Sequence, residues 1–95
     1  MTNKYKIAQS TRFAKDVKKA VKRGMDIQLL WDIAAKLANG EPLPQKNRDH
    51  ALSGNWQGYR ECHIQPDWLL IYKIDSGKLI LVLSRTGSHS DLDLY

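Results

Sequence analysis

The sequence predicts one small α+β domain of order β-α-α-β-β-β, in which a helical hairpin packs on one face of a mostly antiparallel sheet. Three observations carry that prediction. The chain has 95 residues, enough for a single core over residues 1–95 and no second one. Two successive stretches before residue 40 repeat apolar residues at helical spacing. Three short apolar runs after residue 58, divided by turn residues, read as a meander.

Tyr5–Gln9 is a short strand candidate, with Ser10 and Thr11 placed to cap a helix after it. From Arg12 to Arg23 the apolar residues Phe13, Val17, Ala20 and Val21 make one helical stripe, and lysines fill the remaining surface. Gly24 ends that helix. Asp26 caps a second helix with the stripe Ile27, Leu30, Trp31, Ala34, Leu37 and Ala38; Gly40 closes it, and Pro42 and Pro44 forbid its continuation. A short joint between two amphipathic helices makes an αα-hairpin.

Residues 41–58 read as a polar connection punctuated by Gly54 and Gly58. The runs Tyr59–Ile64, Trp68–Ile74 and Lys78–Ser84 come next, separated by Gln65-Pro66-Asp67 and Asp75-Ser76-Gly77, both turn-forming. The tail from Arg85 to Tyr95 reads as loop. Alternation in the first run places Tyr59, Glu61 and His63 on one side and Arg60, Cys62 and Ile64 on the other. With the helices on one face, the opposite face is expected to be open, as a concave site or equally as an exposed surface or a partner interface.

A hydrophobic fraction of 42% with 26% charged residues is a soluble globular composition and excludes a disordered or fibrous chain. No apolar run approaches the roughly 18 residues of a membrane span, and the N-terminus has no apolar signal segment, so a cytoplasmic location is expected. The one cysteine, Cys62, cannot form an internal disulfide, removes Cys-based zinc sites and reads as a small buried hydrophobe. The net charge of +5 is uneven: residues 1–23 hold eight cations against one anion, Asp16. Lys15, Lys18, Lys19 and Lys22 therefore form either an RNA-backbone contact or a solvated helix face.

The candidate chemistry lies in the C-terminal half. The meander gathers the end of the His63 strand, the Asp67 turn and the end of the last strand at one end of the sheet. His63, Asp67, Arg85 and His89 can meet there, with His50 in the preceding connection. Histidine serves as base and acid near neutrality, and arginine clamps phosphoryl charge. Cys62 reads as a small hydrophobe and no serine is assigned as a nucleophile, so the set suits phosphodiester cleavage by the substrate's own 2′-OH. A three-histidine zinc site lacks any short ligand spacing. Trp56, Tyr59 and Trp68 are candidates for stacking on bases, against the simpler reading of Trp68 as a core cap.

The run from Asp49 to Lys73, with its strings Asp49-His50-Ala51-Leu52-Ser53-Gly54-Asn55-Trp56 and Gly58-Tyr59-Arg60-Glu61-Cys62-His63-Ile64-Gln65-Pro66-Asp67-Trp68, resembles the YafQ branch of the RelE/ParE toxin superfamily. So does Arg85-Thr86-Gly87-Ser88-His89. The resemblance implies a RelE-like fold and the toxin of a bacterial type II toxin–antitoxin pair. That toxin would be a metal-independent, cofactor-free endoribonuclease that enters the ribosomal A site and cuts messenger RNA.

The expected partners are the ribosome, contacted at its RNA by the basic first helix, and an acidic antitoxin protein, with no membrane involved. The matching site positions are His50, His63, Asp67, Trp68, Arg85 and His89. His50 or His63, together with Asp67, falls on the base side, His89 is the acid and Arg85 the phosphate clamp. The pattern departs at the C-terminus, where Asp93 stands at the family's common aromatic position and Tyr95 is the nearest aromatic. The same scaffold also supports gyrase-directed toxins and degenerate partner-binding modules, the non-enzymatic alternatives.

Overall fold

A computed structural model describes residues 3–92. The elements are β1 (Lys6–Gln9), α1 (Thr11–Lys22), α2 (Ile27–Ala38), β2 (His50–Ala51), β3 (Arg60–Gln65), β4 (Trp68–Asp75), β5 (Ile80–Gly87) and α3 (His89–Leu92). Single 3₁₀ turns lie at Gln45–Asn47 and Gly54–Trp56. The sheet has five strands in the order β1-β5-β4-β3-β2; β1 runs parallel to β5 and the other pairs are antiparallel.

The helix boundaries follow from capping. Ser10 Oγ accepts from the Phe13 amide (3.0 Å) and donates to the Ser84 carbonyl (2.7 Å), so one hydroxyl starts α1 and pins it to β5. Asp26 caps α2 through the Gln28 amide at 3.2 Å. Both helices end in paired bonds that require a left-handed glycine. At Gly24 (φ 77°) the Gly24 amide reaches Val21 O at 3.0 Å and the Met25 amide reaches Ala20 O at 3.1 Å. Gly40 (φ 75°) repeats the arrangement after α2.

The main core lies between the helices and the sheet. Phe13 and Ala20 of α1 and Leu30, Ile33, Ala34, Leu37 and Ala38 of α2 bury against Cys62, Leu70, Tyr72, Leu81 and Leu83. Phe13 meets the Trp31 ring edge-on at 6.1 Å, which sets the helix–helix contact. Val21, expected in the α1 stripe, is 55% exposed. Burial pushes the Cys62 thiol well above its ordinary pKa, as suits a core residue rather than a nucleophile.

Three expectations from the sequence need correction. The face away from α1 and α2 is not open, because Leu69 and Ile71 are covered there by Leu92, Leu52, Trp56 and Tyr59. The tail is not a loop throughout: β5 continues to Gly87 and α3 comes directly after it. The last strand also begins later, because Leu79 takes a left-handed turn conformation (φ 57°) that no strand residue adopts. Asp93 and Tyr95 lie outside the described residues.

Candidate active site

Each histidine is set by a different local device. Arg48 stands in the left-handed region (φ 46°), which turns its carbonyl back so that His50 Nδ1–H donates to it at 2.7 Å. β2 then pairs His50 directly across from Glu61. His63 Nδ1–H donates to Pro66 O (3.3 Å) across the β3–β4 turn, next to the irregularity in their pairing. A carbonyl oxygen only accepts, so both rings carry a proton on Nδ1, and each ring turns its Nε2 towards Glu61. These Nε2 atoms lie 3.7 Å and 3.5 Å from Oε1 of the fully buried Glu61.

His89 is positioned by α3, whose start is capped reciprocally. The Ser88 amide donates to Asp91 Oδ2 at 3.0 Å, and the Asp91 amide donates to Ser88 Oγ at 3.1 Å. Asp91 also takes a two-pronged bond from Arg23 at 2.7 and 3.3 Å and faces Lys19 at 3.6 Å, which moors α3 to α1. The Arg23 guanidinium, and after it the Ser88 amide, holds the Asp91 carboxyl far below its usual range. Asp67 Oδ1 accepts from both His89 Nδ1 (2.7 Å) and the His89 amide (3.1 Å). Those two bonds, the ring's first, lower the Asp67 pKa.

The three histidines share one cavity of about 410 Å³, whose remaining wall is Arg48. The His63 and His89 rings stand 5.6 Å apart, centre to centre. His63, Asp67 and His89 are thus assembled as the topology predicted, and His50 joins them from β2. Asp67 nevertheless pairs with His89, not with the base-side histidines that the sequence suggested for it. Arg85 is not a wall of that cavity. Its guanidinium is gripped by Asp16 of α1 at 2.7 and 3.3 Å, and Asp16 also accepts from the Thr86 amide at 3.1 Å.

A β-bulge places Arg85 there: the β4–β5 register slips between Ile71 and Tyr72, so Thr86, not Arg85, takes the buried position across from Leu70. Trp68, the stacking candidate, is a core residue only 1% exposed, and its indole N–H donates to Thr86 Oγ1 at 2.9 Å. Trp56 and Tyr59 pack edge-on against each other at 5.3 Å over the second apolar cluster.

Sequence reasoning passed over Glu61, Arg48 and Asp16. The alternation that put Glu61 beside His63 was a usable signal for the first; the other two depend on a turn conformation and a helix–strand contact. Lys15, Lys18, Lys19 and Lys22 lie along the outer surface of α1, and all four are exposed. Cys62 and Ile64 face the helices, so Glu61 and His63 occupy the opposite side of the sheet from these lysines. Among the described residues no group of three or more His, Cys, Asp or Glu side chains is arranged to hold a metal ion, and no helix is long and apolar enough to cross a membrane.

Comparison with known proteins adds the family. The family described as "Bacterial toxin of type II toxin-antitoxin system, YafQ" matches residues 5–94. The mRNA interferase toxin YafQ of Escherichia coli K12 is 44% identical over 87 residues, covering 90% of this chain and 92% of that one. The toxin in the E. coli DinJ–YafQ toxin–antitoxin complex superposes with a TM-score of 0.84 at 42% identity, covering 94% and 97%. A metal-bound toxin from Helicobacter pylori gives 0.88 at 44% identity, covering 93% and 98%. On both sequence and fold, this chain belongs to the YafQ family of toxins from bacterial type II toxin–antitoxin systems.

Proposed function

We propose that this toxin is a ribosome-dependent endoribonuclease that cuts messenger RNA in the A site, with the substrate 2′-OH as nucleophile and histidines as base and acid. The observation that carries the reading is the division of the three imidazoles around one cavity. His50 and His63 are held through Nδ1 by backbone carbonyls and face Glu61 through Nε2, whereas His89 is bound to the Asp67 carboxylate. His50 or His63 accepts the 2′-OH proton, the 2′ oxygen attacks phosphorus, and the P–O5′ bond breaks as His89 protonates the leaving O5′. Asp67 gives the charged His89 ring an ion-pair partner before that transfer. Glu61 offers the same to whichever base ring has taken a proton.

Arg48 is the cation that lines the histidine cavity in the free protein. Arg85 serves the phosphate only after parting from Asp16. The lysines of α1 supply attraction to ribosomal RNA. The antitoxin presents an acidic segment that covers α1 and the histidine cavity together. We read the histidines as acid–base groups, and no step passes through a metal.

The test is cleavage of a message on intact ribosomes. The 5′ fragment should end in a 2′,3′-cyclic phosphate or 3′-phosphate and the 3′ fragment should begin with 5′-OH. A 2′-deoxy nucleotide at the cut should block the reaction, and EDTA that leaves ribosomes intact should not. Alanine at His50, His63 or His89 should each cost roughly 10–10⁴-fold. A 5′-phosphate product, or normal cutting of the 2′-deoxy message, would make water the nucleophile and overturn these roles.

A further inference from the structure

We propose that a second cavity, next to the histidines, is the subsite for the nucleotide on the 5′ side of the cut, and that it reads that nucleotide's identity. The proposal rests on the endoribonuclease reading. The cavity holds about 390 Å³, room for one nucleotide, between the residues 46–48 segment and the end of β3. It shares Arg48 and the base-side His63 with the histidine cavity, and neither His50 nor His89 lines it. It therefore opens from the base side, where the ribose that supplies the attacking 2′-OH must lie.

Its walls divide by chemistry. Lys46 and Arg48 bring two cations to the cavity and suit the phosphate 5′ of that nucleotide. Ile64 and Pro66 offer apolar surface to a base, and Gln65 offers both a donor and an acceptor to its edge.

The cavity is also held in shape. The buried Asn47 donates from its side-chain amide to His63 O at 2.7 Å, which fastens the 46–48 segment to β3. Arg48 keeps its left-handed backbone (φ 46°, ψ 46°) while its amide bonds Gln45 O at 3.0 Å. A non-glycine residue in that region is held there by its surroundings, a common condition at ligand sites. The same residue thus aims His50 through its carbonyl and lines the subsite.

Two measurements test the proposal. A dinucleotide with a 2′-O-methyl group on its 5′ nucleoside, which cannot be cut, is titrated into ¹⁵N-labelled toxin. Amide shifts are expected at Lys46, Arg48, Ile64 and Gln65. Lys46→Gln and Arg48→Gln should each weaken binding about three- to tenfold and reduce the log–log salt slope by about 1. On programmed ribosomes, Gln65→Ala should redistribute cuts according to the nucleotide 5′ of the scissile bond, raising KM more than it lowers kcat. Shifts confined to His50 and His89, or an unaltered cut pattern with Gln65→Ala, would overturn the subsite and leave the nuclease reading standing. If the wild-type toxin cuts no message, that reading fails, and the titration still decides whether the cavity binds a nucleotide.

Discussion

At the residue scale, the chemistry turns on what each imidazole nitrogen touches. Two Nδ1 atoms face carbonyls and one faces a carboxylate, so three identical side chains acquire different roles from their neighbours alone. Asp67 is itself exposed, and its low pKa comes chiefly from His89. Asp67→Asn keeps an acceptor near His89 but removes the charge that partners its protonated ring. Cleavage by this variant should fall roughly 10–10³-fold in kcat, at or below the range for a general acid itself. Single-turnover rates on ribosomes check this, and an unchanged rate would remove Asp67 from the mechanism. Trp68 shows the converse: an aromatic at a suggestive position is committed to the core by its burial and by its bond to Thr86.

At the element scale, α3 is four residues long and could not persist as an isolated helix. The Ser88–Asp91 cap and the Arg23–Asp91 pair hold it, and they hold His89 with it. Asp91→Asn should therefore destabilise the fold by about 1 kcal/mol at pH 7, the ordinary worth of such a cap. The folded pKa of Asp91 lies below its unfolded value, so this contribution is present above about pH 4 and fades as pH falls towards the folded pKa. Urea denaturation of the two proteins should accordingly separate at pH 7 and draw together as the pH falls below about 4. A gap that stayed constant down to the acid limit would mean that the carboxylate's charge is not what stabilises α3. His89 displacement should lower cleavage in the same variant.

At the scale of the whole molecule, the α1 lysines and the Glu61–His63 side of the site lie on opposite sides of one sheet. Lys15, Lys18 and Lys22 belong to α1, whereas Glu61 and His63 project from the other face of β3. Attraction and cutting should therefore be separable. Replacing these three lysines by glutamine should weaken ribosome association and flatten its salt dependence by up to about 3 in log–log slope. Cleavage by toxin already bound should be little changed. Lys19 is left in place because it also faces Asp91 at 3.6 Å. Sedimentation with ribosomes across a salt series measures the first effect, and single-turnover cutting the second. Undiminished association would make α1 a solvated face.

Periodicity, capping residues and turn chemistry act between near neighbours, so the helices, the meander and its shared end were legible in the chain. For the same reason His63, Asp67 and His89 could be expected together: short turns leave a meander few other ways to fold. The role of Arg85 was not legible, because a bulge set by packing against β4 moves it out of simple alternation and into contact with Asp16, 69 residues away. Nor was the folding of the tail, since α3 depends on Arg23 and Lys19 from α1. Glu61 became the shared neighbour of two histidines only when β2 laid His50 across from it. The order of amino acids was enough to say which residue types reach the end of the sheet. Which nitrogen, carboxylate and cation face one another there was settled by the folded chain, because those pairings are made between segments that no local rule connects.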